Sequence, residues 1–299
     1  VTLEQLALFV AVAERQHLTL GAQAAHRTPS AASAAIKALE SQYGVALFHR
    51  VGRGIELTAA GAAFADEARA ILARTRAAEL ALSEWGGVLR GTLELQASQT
   101  VASYWLPARL MAFHARYAQI QIRLSVGNTE SVARAVAEGR AELGFVEGGV
   151  RDPALALSAL AQDRLVVVAA PSHRLAGRRR IALPALAASS SWIMREPGSG
   201  TRSEFEAALR AAHVAADTLS VALTLPSNEA VLSAVLSGHS VAAVSQLAAA
   251  PWLESGRLQR VGAALGTRTF HAVRHCERAL SAAAAALLAV DGDGTTAIV

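Results

Sequence analysis

Apolar side chains recur at helical spacing from the start of the chain. Leu6, Phe9, Val10 and Ala13 share one face over residues 3–15, and a second helical stretch covers 18–25. Thr28-Pro29 marks a new helix start, because a hydroxyl can cap free backbone N–H groups and proline at the first helical position has no N–H to lose. The spacing predicts a third helix over 29–42, with Ala32, Ile36 and Leu39 inward and Ser30, Ser33, Ala34 and Lys37 outward. The period then shortens. Gly44-Val45-Ala46-Leu47-Phe48 reads as a strand, His49-Arg50-Val51-Gly52-Arg53-Gly54 as a basic hairpin and Ile55-Glu56-Leu57 as its return. Thr58 is placed to cap a helix over about 59–88, along which Phe64, Ala68, Ile71, Leu72, Leu80 and Leu82 form an apolar face suited to a partner helix.

Beyond residue 91 the texture becomes strand and helix in alternation, an α/β order. Strands are expected at 92–97, 120–126 and 141–146, with helices running to 117 and 139 between them. A second set of strands is expected at 165–170, 192–194, 220–225 and 241–244, with helices near 200–212 and 227–238. A strand at 269–274 and a last helix return to the first lobe, so the chain crosses between two lobes near 162 and 268. Such a pair of lobes encloses a cleft, and open parallel sheets bind ligands beyond the carboxyl ends of their strands.

Composition narrows the possibilities. A chain of 299 residues exceeds what one core usually holds. Its longest apolar runs, 165–170 and 282–290, fall short of the roughly 20 residues of a membrane span. Residues 1–12 carry Glu4 and Gln5 and show no secretion signal, so a cytoplasmic protein without a membrane partner is expected. Cys276 is the single cysteine, which excludes an internal disulfide and a multi-cysteine zinc site, and the 9 histidines are scattered. No metal site is expected. The net charge of +4 does not by itself indicate nucleic acid, but Arg27, Lys37, Arg50 and Arg53 gather in one segment beside His26 and His49.

A small, polar outward face on the third helix can lie against a DNA major groove, with Arg50 and Arg53 at the hairpin tip for phosphate or a narrow minor groove. An ordinary three-helix bundle with a solvated face explains that helix equally well; the basic hairpin after it is what favours DNA. In the second half, Gly198-Ser199-Gly200-Thr201-Arg202 combines free backbone N–H groups at a helix start with two hydroxyls and a guanidinium, parts that suit an anion. The plainer alternative is a capped helix with Arg202 paired to Glu206 one turn on. Candidate cleft residues are Ser98, Gln99, Thr100, Asn128, Thr129, Glu147, Glu196, Ser199, Gly200, Thr201, Arg202 and Asn228.

Leu6-x-x-Phe9, Ala24-Ala25, Thr28-Pro29-Ser30-Ala31-x-Ser33, Leu39-Glu40, Gly44-x-x-Leu47-Phe48-x-Arg50 and Leu57-Thr58-x-x-Gly61 together resemble LysR-type transcriptional regulators, in order and in spacing. The resemblance implies an α/β chain with an all-α-plus-wing N-terminal domain. Its parts are a winged helix-turn-helix over 1–58, a linker and dimerisation helix over 59–90 and a two-lobed, periplasmic-binding-protein-like effector domain over 91–299. Lobe 1 then takes about 91–162 and 268–299, and lobe 2 about 163–267. It also implies DNA contacts from Arg27, Thr28, Pro29, Ser30, Ser33, Lys37, Arg50 and Arg53, a homodimer assembling to a homotetramer, promoter DNA and RNA polymerase as partners, and a small-molecule effector in place of a cofactor. Many family members carry Gln at the place of Pro29 and longer polar residues at the places of Ala34 and Ala35, so base readout is expected to be weaker here and shape readout stronger.

The stretch from Arg195 to Arg202, with Val126-Gly127-Asn128-Thr129 and Pro226-Ser227-Asn228-Glu229, resembles the subgroup containing regulators of carbon-fixation and cysteine-synthesis genes, which implies an anion or carboxylate effector. No nucleophile elbow, Walker-type loop or dinucleotide fingerprint accompanies it, so no catalytic residues are assigned. Two rivals remain. A two-lobed receptor or enzyme without sequence-specific DNA binding leaves the wing and long helix unexplained, and an architectural DNA-binding protein leaves the cleft unexplained.

Overall fold

The computed structural model describes residues 1–52, 54–85 and 91–290, which form two compact units. The first unit contains α1 (Leu3–Arg15), α2 (Leu18–Ala24), α3 (Pro29–Tyr43), the hairpin β1 (Phe48–Val51) and β2 (Gly54–Leu57), and α4 (Ala59–Trp85). Helix α1 is buried on two sides. Leu6, Phe9 and Ala13 pack with Leu39, Leu47, Ala65 and Ala68, while Leu8 and Val12 meet Ala22, Ala32 and Ile36. Its crossing with α2 is close enough that a Cβ on Gly21 would stand 2.5 Å from the Val12 Cα.

Capping follows the residue types. Thr2 and Gln5 close a reciprocal capping box on α1, and the Thr28 hydroxyl accepts the Ala31 N–H at the start of α3. Gly44 ends α3 in the left-handed region at φ 65°. The expected strand over 44–48 does not form. After the glycine turn, the N–H groups of Leu47 and Phe48 are taken by the Glu40 carboxylate, at 2.8 and 3.1 Å, so pairing begins only at Phe48. The apolar stripe assigned to a partner helix also needs correction. Phe64, Ala68 and Leu72 face the unit's own core, Phe64 lying 4.9 Å from the Phe9 ring, and Ile71 is exposed. Leu80, Leu82 and the expected helix end near 88 lie outside the described residues or side chains.

The second unit continues with β3 (Gly91–Ser98), α5 (Gln99–Tyr104), α6 (Leu106–Arg116), β4 (Ile120–Gly127), α7 (Thr129–Ala137), β5 (Leu143–Glu147) and β6 (Leu155–Ala169). It ends with α8 (Leu183–Ser189), β7 (Ser191–Arg195), α9 (Gly200–Ala211), β8 (Ser220–Leu225), α10 (Asn228–Ser237), β9 (Ala242–Ser245), α11 (Gln246–Glu254), β10 (Gln259–Val261), β11 (Thr267–His275) and α12 (Ala282–Leu288). In lobe 1, β3 pairs in parallel with β4 and β5, and β11 runs antiparallel to β5 and β6. In lobe 2, β6 pairs antiparallel with β9 and β10, while β7 pairs in parallel with β8 and touches Val241 beside β9.

Strand β6 belongs to both lobes, beginning at Leu155 and not at 165 as expected. Its first part has only intermittent burial, so no continuous apolar run marks it. Its last part is buried on both faces: Leu165, Val167 and Ala169 meet α8 and α9, and Val166 and Val168 meet α10 and α11. The single helix expected after β3 is broken at Trp105, where Pro107 opens α6. Short α8, α11 and β10 were not anticipated.

Phe9, 1% exposed at the meeting of α1, α3 and α4, is the most completely buried ring of the first unit among the described residues. Phe9→Ala is expected to lower its stability by about 3–5 kcal/mol. Urea unfolding followed by circular dichroism checks this; an unchanged midpoint would refute the packing described.

Candidate functional site

The outward side of α3 carries Thr28, Pro29, Ser30 and Lys37, all exposed, with Ser33 half-buried. Lys37 has no ion-pair partner among the described residues, whereas Arg27 is engaged with Glu4 at 2.6 Å across the first unit's surface. Arg50 is exposed on β1, opposite Ile55. Gly52 takes φ 58° at the hairpin tip, a left-handed conformation that glycine adopts without strain, and Arg53 lies outside the described residues. The face is thus small and polar at the helix and cationic at Lys37 and on the wing.

In the second unit the strand ends bring both lobes to one place. Ser98, Gln99 and Thr100 follow β3, Asn128 and Thr129 open α7, and Glu147 ends β5. Opposite them stand the start of α9 and the start of α10 with Asn228. Glu147 is 1% exposed and its carboxylate lies at the first turn of α9. It accepts hydrogen bonds from the Ser98 hydroxyl and from Thr201 Oγ1, the latter at 3.4 Å, while its backbone oxygen accepts from Thr129 Oγ1 at 2.9 Å. A side chain on Gly200 would strike this group, since its Cβ would lie 2.2 Å from the Glu147 carbonyl oxygen. Glycine there lets a carboxylate-bearing strand end touch a helix start.

Further bonds latch the lobes. Asn228 Nδ2 donates to Thr100 Oγ1 at 3.0 Å, and the Asn228 N–H donates to Gln99 Oε1 at 2.9 Å. Gln99 Nε2 and the Tyr104 hydroxyl both donate to Glu229. Burial first, then the hydrogen bond to Glu229 and its charge, push the Tyr104 phenol above its ordinary range and keep it a donor. Asn128 Nδ2 donates to the Pro197 carbonyl at 3.3 Å, and the Glu130 N–H to that of Gly198 at 3.2 Å. The Ser199 hydroxyl, buried at the start of α9, has no hydrogen-bond partner among the described residues.

Of the candidate cleft residues, Arg202 alone stands apart. Its Nε donates to Glu206 at 2.7 Å and its Nη1 to the Arg195 carbonyl at 3.2 Å, the plainer arrangement weighed above. The cleft's cations are two arginines that the sequence did not single out. Arg195, 3% exposed, donates to both Glu196 oxygens, to Asn228 Oδ1 at 3.0 Å and to Gln99 Oε1 at 3.3 Å. Arg268, 4% exposed, pairs with fully buried Asp163 at 2.8 Å, donates to Thr201 Oγ1 at 2.9 Å and lies 3.8 Å from Glu147. A signal was available: Arg268, Phe270 and Ala272 alternate on the buried face of β11, and Arg195 closes the buried run Trp192-Ile193-Met194. A charge on the apolar face of a strand requires a buried partner.

Among the described residues no group of three or more His, Cys, Asp or Glu is placed to hold a metal, and no helix is long and apolar enough to cross a membrane. His271 and His275 lie in β11, and Cys276, exposed just after it, donates its N–H to Ala154.

The profile of bacterial regulatory helix-turn-helix proteins of the lysR family matches residues 3–62, and that of the LysR substrate binding domain matches residues 86–290. The RuBisCO operon transcriptional regulator of Allochromatium vinosum is 35% identical over 258 residues, covering 86% of this chain and 84% of its own. Full-length CbnR complexed with its target DNA shares the fold with a TM-score of 0.68 at 22% identity, over 97% of this chain and 98% of its own. The CcmR regulatory domain of Synechocystis PCC6803, in complex with 2-PG, is 27% identical with a TM-score of 0.61, over 67% of this chain and 97% of its own.

Asp163→Asn removes the close counter-charge of buried Arg268, leaving only Glu147 at 3.8 Å, and is expected to cost about 3–5 kcal/mol of unfolding free energy. Glu206→Gln, at the more open Arg202 pair, is expected to cost less than about 1 kcal/mol. Urea denaturation of both variants checks the contrast, and equal losses would mean that the buried pair is not the stronger constraint.

Proposed function

We propose, from the premise that the chain belongs to the LysR family of bacterial helix-turn-helix transcriptional regulators, that its promoter binding is controlled by a small anion held between the lobes of its effector-binding domain. The observation that carries this reading is the position of Glu147. The start of α9, the Ser98 and Thr201 hydroxyls and Arg268 already surround one carboxylate group, which belongs to the chain itself. A ligand carboxylate or oxyanion would take the same donors and add the unpartnered Ser199 hydroxyl. It would have to displace the Glu147 side chain, because two anions in one desolvated site repel. The 2-PG bound by the CcmR domain is an effector of the class this implies.

The effector residues are Ser98, Gln99, Thr100, Thr129, Glu147, Ser199, Gly200, Thr201 and Asn228, with Asn128 and Glu196 at the rim. Arg202 holds α9 in place. On DNA, α3 enters the major groove with Ser30, Ser33 and Lys37 while Arg50 contacts phosphate, and the missing long polar side chains shift discrimination toward groove shape. Dimers form along α4 through its outward side, where Ile71 is exposed, and pair into tetramers whose DNA-binding spacing changes when effector moves the lobes. The cytoplasm is the working compartment and RNA polymerase the downstream partner.

Selection of bound sites from random DNA at physiological salt tests the reading. An inverted repeat is the expected product, and the absence of any DNA binding would overturn it. Lys37→Ala is expected to weaken binding to all sequences alike and to flatten the dependence on log salt by about one unit. Glu147→Gln keeps the side-chain shape, removes the competing charge and is expected to tighten sulfate binding by about tenfold, measured by titration calorimetry. A weaker affinity would instead make the Glu147 carboxylate an acceptor for the ligand's own donors and sink the anion assignment.

A further inference from the structure

Beside the two strands that join the lobes lies a second concave site with a different charge balance. Strand β6 is paired with β11 as far as Arg164 and with β10 from Val167 onward. Between these partners the chain from Gly262 to Gly266 loops out of the sheet, and a cavity of about 860 Å³ opens under it. Its walls carry Arg164, Arg179, Arg180 and Arg260, all exposed. None of the four takes part in an ion pair among the described residues; those of this unit use other arginines.

This cluster is held in place by backbone bonds. The run Arg178-Arg179-Arg180 is pinned to the end of β10 by the Gly262 N–H donating to the Arg178 carbonyl at 2.7 Å and the Ile181 N–H donating to the Gly262 carbonyl at 2.9 Å. The approach is so close that a Cβ on Gly262 would stand 2.1 Å from the Arg179 carbonyl oxygen. Four arginines lining one concavity, without an acidic partner among the described residues, raise its positive potential, which a multiply charged anion relieves. The volume falls within the roughly 300–1,000 Å³ of small-molecule sites. A concave recess under a loop suits a compact ligand better than the convex rod of a DNA duplex, and guanidinium forks match phosphoryl oxygens in pairs.

We propose that this cavity is a second effector site, taking a compact metabolite with several phosphoryl charges, and that it communicates with the cleft through the strands that both sites share. The register supplies the connection. Arg164 lies opposite Thr267, and the next pair is Asp163 opposite Arg268. Arg164 and Thr267 line the cavity, one position along their strands from Asp163 and Arg268, the buried pair that reaches Thr201 and Glu147. A polyanion drawing the arginines together at the crossing alters the lobe closure that the cleft ligand also sets, which makes the two affinities reciprocal. This site goes beyond the cleft reading and stands or falls separately from it.

The test uses the full-length protein, with ATP and inorganic pyrophosphate as probes of the cavity and sulfate as the probe of the cleft, by titration calorimetry. ATP is expected to bind once per chain with sulfate already bound, and each ligand to change the affinity of the other by the same factor. The double variant Arg179→Ala/Arg260→Ala, at exposed positions that leave thermal unfolding unchanged, is expected to weaken ATP and pyrophosphate by about tenfold or more and leave sulfate affinity alone. Failure of both phosphorylated probes to bind overturns the proposal, as does ATP that competes one-for-one with sulfate or binds the double variant unaltered. Loss of DNA affinity in the double variant, with no ATP binding to the parent protein, also overturns it and assigns the arginines to the DNA backbone. Absence of sulfate binding alongside intact ATP binding sinks only the cleft reading.

Discussion

Strand β6 is the constraint on which the second unit depends. It runs for 15 residues, its first part in the lobe 1 sheet beside β11 and its last part in the lobe 2 sheet beside β9 and β10. Because one strand carries both ladders, a change in the angle between lobes has to be absorbed where its partners change, around Arg164 and Leu165. The buried pair Asp163–Arg268 crosses between the strands at that point. Removing two charges from water is costly, and the pair is retained only where partners satisfy it. Here Arg268 reaches onward to Thr201 at the start of α9, so the ion pair fixes the hinge in relation to the cleft floor.

The cleft is an electrostatic balance and not a simple anion trap. Arg195 and Arg268 are the buried cations, and each is already matched, by Glu196 and by Asp163. Around the Glu147 carboxylate stand the Ser98 and Thr201 hydroxyls, with Arg268 at 3.8 Å. On the proposed reading an anion enters by exchanging with this tethered carboxylate, and the site then selects on size and on the number of acceptor atoms more than on charge alone. The hinge cavity is the opposite case, with four guanidiniums and no acidic partner among the described residues. Two anion sites with such different balances would respond to different metabolites.

In the first unit the same economy appears at the DNA-facing helix. Ala32, Ile36 and Leu39 anchor α3 in the core, and Glu40 spends its carboxylate on the N–H groups that begin the wing. The start of the wing is thus tied to α3 by Glu40, while Phe48 and Ile55 pack against the helices. On the proposed reading, the short side chains on the exposed face leave backbone and wing positions to carry more of the recognition than individual base contacts do.

Much was legible in the sequence because it depends on local periodicity and local chemistry. The three helices, the Thr28-Pro29 start, the basic hairpin and the alternation of strands and helices follow from spacing and capping, which act within a few residues. The loops carrying Ser98, Asn128, Glu147, Ser199 and Asn228 were found because strand ends in an α/β order fall on one side. What the tertiary structure decided is which partner each group takes. Phe64, Ala68 and Leu72 have the spacing of a partner face, yet α1 lies against them; Arg202 has the setting of a ligand residue, yet Glu206 is one turn away. Arg268 and Asp163 were overlooked because a charge on a buried strand face is stable only beside a partner, and theirs lies 105 residues away in the chain. Periodicity reports which side of an element is apolar; only the folded chain determines what that side meets.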